Sequence, residues 1–235
     1  MNLDQENSAD NLRIGGFTPF TTIDYPGSLA AVVFCQGCPW QCVYCHNAHL
    51  ASAVGPSERP WPQVMAFLKQ RQGLLDAVVF SGGEPTAQSA VIGAAREAAM
   101  MGYRVGLHTG GSYPRRLAAL LPYVSWVGLD VKATLNGTYA AITGVRDSED
   151  PVTRSLERLV ESGVGHEVRT TMTPDLTEDT LLSLARDLAR RGVQNYAVQE
   201  CRPAQQVERT VRTPLTADAE AEMASLFHTF VVRYV

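Results

Sequence analysis

Short apolar runs alternate with amphipathic segments along most of this chain. Such runs of Val, Leu, Ala and Phe are typical of strands buried in a sheet. The runs lie at Leu29–Phe34, Ala77–Phe80, Tyr103–Leu107, Trp126–Val131, Glu167–Met172 and Tyr196–Gln199. A short hairpin or extended lead-in is expected before them at Gly15–Gly27, and an edge strand after them at Phe230–Tyr234.

Segments with helical periodicity separate these runs. The pattern predicts helices with first-turn Pro62, over Ala90–Ala98, over Asp150–Gly163, from Thr177 to Gly192 and from Pro214 onward. Alternating strands and helices predict a parallel sheet with right-handed crossovers. About six units are recognisable, whereas a full eight-fold barrel needs about 250 residues. The expected fold class is therefore α/β, a partial (β/α)6 TIM-like barrel, with residues 1–12 as a mobile tail and 13–235 as one domain.

Composition narrows the classes of function. The 235 residues are 45% hydrophobic with a net charge of −4, so the chain has no electrostatic footprint for nucleic acid. No run is apolar enough to span a bilayer, and the polar start lacks the features of a signal peptide. We therefore expect a cytoplasmic protein, in which clustered cysteines favour metal binding over disulfides.

Three cysteines, Cys38, Cys42 and Cys45, follow the first predicted strand within eight residues. Three thiolates can hold three irons of a cubane cluster and leave the fourth iron open to a substrate. A structural zinc site would need a fourth ligand, which Cys35, His46 or His49 could supply. The spacing alone leaves both interpretations open.

The remaining polar and glycine-rich segments follow the other predicted strands. They are Ser81–Pro85, His108–Gly110, Asp130 with Lys132, Thr171–Asp175 and Gln199–Pro203. In parallel α/β folds, ligands bind at the carboxyl ends of the strands. The placement predicts one ligand-binding face that all these segments share.

With Tyr44 before its third cysteine, the Cx3CxxC loop resembles the signature of radical S-adenosylmethionine (SAM) enzymes. The similarity extends from about Gly15 to Pro203, and it implies the partial-barrel fold of that superfamily. It also implies a [4Fe–4S] cluster held by the three cysteines, with SAM on the open iron. Tyr44 would lie near the adenine, or would simply pack in the core.

The segment Gly82-Gly83-Glu84-Pro85 resembles the Gly-Gly-Glu-Pro motif of the same superfamily. Glycines lack Cβ, so that their carbonyl groups can approach an ammonium group closely. The resemblance implies that Gly82, Gly83 and Glu84 bind the amino group of SAM. The alternative for Glu84 is an ordinary loop carboxylate.

Other segments resemble the subfamily that activates glycyl-radical enzymes. The resemblance implies that Lys132 binds the SAM carboxylate and that Asp130 orients a substrate or cation, the alternative being a salt bridge. Arg169 would lie near SAM, or else needs an ion-pair partner. Asp24 would meet the substrate glycine, and Leu135–Gly144 belongs to the same subfamily pattern.

Within that subfamily, Gly16–Gly27 and Val33–Trp40 resemble the activating proteins of anaerobic ribonucleoside-triphosphate reductases. His108 and Gln199 depart from pyruvate formate-lyase activators, which have an acidic residue and a histidine there. Cys35 and Cys201 are then expected to be spectator thiols.

The resemblance implies an activase that reductively cleaves SAM and takes hydrogen from a glycine of a partner, expected to be the anaerobic reductase. A flavodoxin or ferredoxin would supply the electron, and the Arg115-Arg116 or Arg190-Arg191 pairs could dock it. The alternatives are a radical SAM enzyme acting on a small metabolite and a non-catalytic, zinc-stabilised, protein-binding barrel.

Overall fold

The computed structural model describes residues 8–55, 58–136, 138–173, 176–201 and 215–234. The strands in this part of the chain are β1 (Ile14–Thr21), β2 (Ala30–Cys35), β3 (Ala77–Gly82), β4 (Arg104–Thr109), β5 (Trp126–Asp130), β6 (Gly165–Thr171), β7 (Asn195–Gln199) and β8 (Thr229–Arg233). The α-helices are α1 (Trp61–Gln70), α2 (Ala90–Met100), α3 (Pro114–Leu120), α4 (Tyr139–Thr143), α5 (Glu149–Ser162), α6 (Glu178–Arg190) and α7 (Ala217–Leu226). No helix among these residues is both long enough and apolar enough to cross a membrane.

The chain divides into two compact units. The first comprises Met1–Pro39 and Asn47–Val127, and the second comprises Trp40–His46 and Gly128–Val235. Strand β5 begins in the first unit and ends in the second. The expectation of a single domain over residues 13–235 stays a prediction.

The first unit has the strand order β1-β2-β3-β4, with the start of β5 next to β4. Strand β1 is antiparallel to β2, whereas β2, β3 and β4 are parallel. The predicted lead-in is thus an edge strand. In this parallel register Cys35 lies opposite Gly82, so the cysteine loop and the glycine motif begin at the same level of the sheet.

The second unit continues with the order β5-β6-β7-β8, and β6, β7 and β8 are parallel. Helices α5 and α6 begin and end where the caps predict. Gly163 ends α5 in the left-handed conformation with φ 69°, and the Thr177 hydroxyl accepts the Thr180 N–H at the start of α6. The periodicity analysis did not identify the two short helices α3 and α4.

The six strands predicted from apolar runs are confirmed to within two residues at either end. Two of them continue further than their apolar runs. Strand β3 includes Ser81 and Gly82, and β4 includes His108 and Thr109. Each of the five predicted ligand-binding segments that follow β3–β7 therefore begins with a residue in strand geometry.

The last residues of the segment predicted to be a mobile tail pack on the fold. Residues Ala9–Asn11 form a 3-10 helix, and both Ala9 and Leu12 are buried. Burial of these apolar side chains holds residues 9–12 on the fold. Residues 1–7, and the predicted segment ends at 174–175 and 202–203, lie outside the described residues.

Candidate functional site

The Gly82-Gly83 turn in the first unit packs directly on backbone. Gly82 has φ +108°, and a Cβ on it would lie 2.5 Å from the Cys35 nitrogen. A Cβ on Gly83 would lie 2.5 Å from the Gly37 carbonyl oxygen. The Gly83 N–H donates to the Cys35 carbonyl, and the Glu84 N–H donates to the Gly37 carbonyl, both at 2.9 Å. Side chains at these glycines would therefore force the turn away from the segment that leads to Cys38.

A residue that follows the cysteine loop also contacts this turn. The Asn47 side-chain amide donates to the Gly82 carbonyl at 3.1 Å. This carbonyl is one of those that the motif offers to an ammonium group. The Asn47 side chain therefore helps to hold the glycine turn in place.

The Glu84 carboxylate is 2% exposed and accepts hydrogen bonds on both oxygens. Its Oε1 accepts the Thr86 N–H at 3.0 Å and the Thr109 hydroxyl at 2.7 Å, while Oε2 accepts the Gly110 N–H at 2.8 Å. The Thr86 hydroxyl donates to Oε1 as well. These bonds join the segments that follow β3 and β4. A direct contact between Glu84 and the SAM amino group stays a prediction, and the carboxylate already has a structural task.

Asp24 and Tyr25 lie in the loop between β1 and β2. The Asp24 carboxylate accepts the Thr21 hydroxyl at 2.6 Å, and its backbone carbonyl lies 2.8 Å from His108 Nε2. Since a carbonyl oxygen only accepts, Nε2 must carry a proton. The Tyr25 ring packs on Trp126 at a centroid distance of 5.7 Å. His108, which the sequence places in a strand-end segment and marks as a departure from pyruvate formate-lyase activators, thus holds this loop. The meeting of Asp24 with a partner glycine stays a prediction.

The three cysteines of the Cx3CxxC loop are half-buried, and none of the five cysteines is in a disulfide. Burial raises the pKa of the Cys42 thiol, and the positive charge of Lys132 opposes that shift. Three soft sulfur donors in one loop suit an iron–sulfur cluster. Among the described residues, no three His, Cys, Asp or Glu side chains form a group that could hold a single metal ion.

Cys35 and Cys201 differ from the three loop cysteines. Both are completely buried. Burial raises the pKa of both thiols, which keeps them protonated. These surroundings agree with the expectation of spectator thiols, which stays a prediction.

Lys132, directly after β5 in the second unit, lies beside the cysteine loop. Its side chain is 11% exposed, and its Nζ lies 5.6 Å from the Tyr44 ring centroid and 5.9 Å from that of Trp40. Asp130 Oδ2 is 3.4 Å from the same nitrogen. Two ring faces and one carboxylate therefore stabilise the ammonium group, and the predicted Lys132–Asp130 salt bridge is present.

The charge state of Lys132 follows from these neighbours. Burial acts to lower the pKa of Lys132, but negative charge on Tyr44, Asp130 and Cys42 raises it well above the ordinary value. Burial also raises the pKa of Tyr44, so that Tyr44 is a neutral phenol near pH 7. Asp130 is then the charge that acts on Lys132, which stays protonated. A buried cation next to a cysteine loop is suited to binding a carboxylate.

Arg169 on β6 has an ion-pair partner on its own strand. Its Nε lies 3.0 Å from Glu167 Oε1, and the Arg233 guanidinium contacts both Glu167 oxygens at 2.7 and 2.8 Å. Burial acts to raise the pKa of Glu167, but the hydrogen bond from Arg233 and the two positive charges hold it below its usual range. A contact of Arg169 with SAM stays a prediction. Gln199, the second departure, donates to the Thr171 hydroxyl at 2.9 Å.

The two arginine pairs expected to dock an electron donor are partly used within the fold. Arg116 donates to the Thr86 and Ala87 carbonyls at 3.0 and 2.8 Å, and its guanidinium lies over the Tyr113 ring. Arg190 and Arg191 pair with Asp187 on the same helix. Contacts of this kind are common for surface arginines and do not require a docking partner.

Comparisons with known proteins agree with an iron–sulfur cluster at the Cx3CxxC loop. A family profile described as the Radical SAM superfamily matches residues 32–188. A Methanocaldococcus jannaschii protein named "Putative glycyl-radical enzyme activating enzyme" is 30% identical over 200 residues, which cover 81% of this chain and 80% of that protein. "Pyruvate formate-lyase-activating enzyme" of Clostridium pasteurianum is 28% identical over 172 residues, 71% of each chain.

Solved structures support the fold. Streptococcus suis SuiB, crystallised with S-adenosylmethionine, matches 85% of this chain with a TM-score of 0.65 and 14% identity, but this chain spans about half (48%) of SuiB. QueE from Escherichia coli matches 93% of this chain and 92% of its own length, with a TM-score of 0.58 and 17% identity. The predicted α/β fold class is confirmed, as a partial barrel of the type found in these structures.

Proposed function

Since the chain belongs to the radical SAM superfamily, we propose that it activates a glycyl-radical enzyme and that this partner is an anaerobic ribonucleoside-triphosphate reductase. Enzymes of the superfamily use a [4Fe–4S] cluster and SAM, and the relatives from Methanocaldococcus jannaschii and Clostridium pasteurianum are both activating enzymes by name. Membership of the superfamily is inconsistent with the alternative of a zinc-stabilised barrel without catalytic activity. The choice of the reductase as partner is supported by the Gly16–Gly27 and Val33–Trp40 segments.

One observation carries the proposal. The loop with Cys42 and Cys45 keeps a protonated lysine, Lys132, between the Trp40 and Tyr44 rings and beside Asp130. Two of the three proposed iron ligands, Cys42 and Cys45, therefore share a unit of the fold with a fixed cation that suits the SAM carboxylate. Two rings shield this cation from water, which strengthens its attraction for a carboxylate.

Each group of site residues has a separate proposed role. Cys38, Cys42 and Cys45 would hold the cluster, while Lys132 would bind the SAM carboxylate. When bound, the cluster supplies one electron to the SAM sulfonium, and cleavage to methionine yields the carbon radical that removes hydrogen from a glycine Cα. Gly82 and Gly83 present carbonyl groups to the SAM amine, and Asp24 orients the partner's glycine. A flavodoxin or ferredoxin is the proposed electron donor.

The direct test uses electron paramagnetic resonance. A purified anaerobic ribonucleoside-triphosphate reductase is incubated with the reconstituted protein, SAM and dithionite under anaerobic conditions. We expect a glycyl doublet on the reductase, which is absent when Cys42→Ala replaces the wild type. A protein that cleaves SAM but gives no doublet on this reductase overturns the partner assignment. A doublet on pyruvate formate-lyase under the same conditions would reassign the partner.

A further inference from the structure

Tyr139, the first residue of α4, lies completely inside the second unit. Its hydroxyl accepts the Lys132 N–H at 2.7 Å and faces the Asp130 carbonyl at 3.4 Å, to which it donates. Burial raises the pKa of Tyr139, so the group is a phenol that can donate and accept at once. One hydroxyl therefore fixes the backbone of both charged residues at the end of β5.

The last residues of the same short helix hold the cysteine loop. The Gln41 N–H donates to the Thr143 carbonyl at 2.9 Å, and the Val43 N–H donates to the Ile142 carbonyl at 3.2 Å. Gln41 and Val43 are the two residues on either side of Cys42. The carbonyl groups at a helix end lack partners within the helix, and here the cysteine loop satisfies them.

Helix α4 is itself held firmly. The buried Thr143 hydroxyl donates to the Tyr139 carbonyl at 3.0 Å and lies 2.7 Å from the buried Ser148 hydroxyl. The Tyr139 ring also meets the Trp40 ring edge-on at a centroid distance of 6.1 Å. Five residues of helix thus contact the loop around Cys42, the ring that covers Lys132, and the Lys132 backbone.

We propose that α4 positions Lys132 relative to the loop that carries Cys42, and that Tyr139 is the positioning residue. Tyr139 touches no reacting atom. It acts through Lys132 and Trp40, so the ammonium keeps its place above the two rings. The consequence for SAM binding rests on the proposed function, whereas the consequence for Lys132 itself does not.

The chain offers an internal reference for a direct test. Its two lysines are Lys132 and the exposed Lys69. The reconstituted protein is treated with acetic anhydride, and acetylation of each lysine is followed by mass spectrometry of peptides. In Tyr139→Phe the ring remains, but the Lys132 N–H loses its acceptor. We expect the acetylation rate of Lys132 relative to Lys69 to rise about tenfold.

A matched control is Tyr196→Phe, which removes a hydroxyl from another buried tyrosine of the same unit, packed on Phe227 and Phe230. It should leave the acetylation ratio unchanged. Thr143→Ala, which loosens α4 but keeps the Tyr139 hydroxyl, should give a smaller rise and replaces Tyr139→Phe if that variant does not fold. A ratio equal to that of the wild type in both α4 variants overturns the positioning role.

Measurements with SAM separate this inference from the proposed function. Equilibrium dialysis with the iron-loaded protein should give a SAM dissociation constant about tenfold higher for Tyr139→Phe, with kcat for 5′-deoxyadenosine formation at saturating SAM nearly unchanged. SAM should protect wild-type Lys132 from acetylation, and absence of protection contradicts the proposed carboxylate role of Lys132. Where SAM does protect Lys132, an unchanged dissociation constant in Tyr139→Phe contradicts the positioning role.

Discussion

Two regions of this protein carry superfamily motifs and differ in how their polar groups are used. At the Gly82–Glu84 turn of the first unit, the Gly83 and Glu84 N–H groups donate to backbone carbonyls, and the Glu84 carboxylate accepts hydrogen bonds from Thr86, Thr109 and Gly110. Around Lys132 in the second unit, an ammonium group lies above two rings, and half-buried thiols lie in the adjoining loop. The first region is built to keep its shape, and the second keeps charge and sulfur available for chemistry.

This difference shows that a residue of a superfamily motif can have a structural role or a ligand-binding role. Glu84 and Lys132 each lie two residues after the carboxyl end of a strand, β3 and β5 respectively. Glu84 has its hydrogen-bonding capacity satisfied by neutral donors, whereas Lys132 has three ammonium donors and one carboxylate neighbour at 3.4 Å. Substitutions should therefore lower stability at Glu84 and SAM affinity at Lys132.

The largest expected effect comes from the thiols of the second region. Cys42→Ala should reduce 5′-deoxyadenosine formation to background, because a cluster with two protein ligands is not retained. Cys38→Ala and Cys45→Ala should behave alike. Cys35→Ala removes a thiol that is completely buried and should keep both iron and SAM cleavage. Iron content and product formation are measured after anaerobic reconstitution, and loss of cleavage in Cys35→Ala alone would contradict the ligand assignment.

The second largest effect is expected on SAM binding when the charge of Lys132 is removed. Lys132→Met keeps an unbranched side chain but removes the charge that lies over the Trp40 and Tyr44 rings. We expect the SAM dissociation constant to rise about 10- to 100-fold, the value of a hydrogen bond to a charged group. The free energy of unfolding should stay nearly constant, since the desolvation cost of the ammonium disappears with it. A large fall in stability with unchanged SAM affinity would make Lys132 a structural residue.

A smaller effect, and one on stability, is expected at the first region. Glu84→Gln places an amide opposite N–H and O–H donors, so at least one buried donor loses its acceptor. We expect the free energy of unfolding in urea to fall by about 2–3 kcal/mol. The control is Glu97→Gln, whose remaining carbonyl can still accept the Trp61 Nε1–H, a contact of 2.7 Å in the wild type. Unchanged stability with lost SAM affinity would instead support the predicted SAM contact of Glu84.

Strands β2 and β3 could be predicted because burial imposes apolar composition over at least four consecutive residues, whereas β6 is apolar only at alternate or isolated positions. The cysteine loop and Lys132 could be predicted because thiol and ammonium side chains that directly follow predicted strands indicate ligand binding. Helix α4 could not be predicted, since five residues give too little periodicity. The bond from the Tyr139 hydroxyl to the Lys132 backbone follows no sequence pattern. Nor could the sequence indicate that Thr109 and Gly110, which are remote in the chain, satisfy the Glu84 carboxylate.

The smallest effect is expected at Glu167 of the second unit. Neutral donors bind the Glu84 carboxylate, whereas Arg169 and Arg233 form ion pairs with Glu167. The pKa of Glu167 is lower in the folded protein than in the unfolded chain because of Arg233 and Arg169. Its contribution to stability is therefore complete above the unfolded pKa near 4.5, and it is lost as the pH falls through the lower folded value.

Glu167→Gln removes this contribution. Relative to the wild type, the variant should be less stable at pH 7 by about 1 kcal/mol, and the difference should shrink as the pH falls from 5 to 3. Urea titrations across that range measure it. A difference that is independent of pH would mean that packing of the Glu167 side chain, and not its charge, holds Arg169 on β6, so that the guanidinium would not depend on this carboxylate for its position.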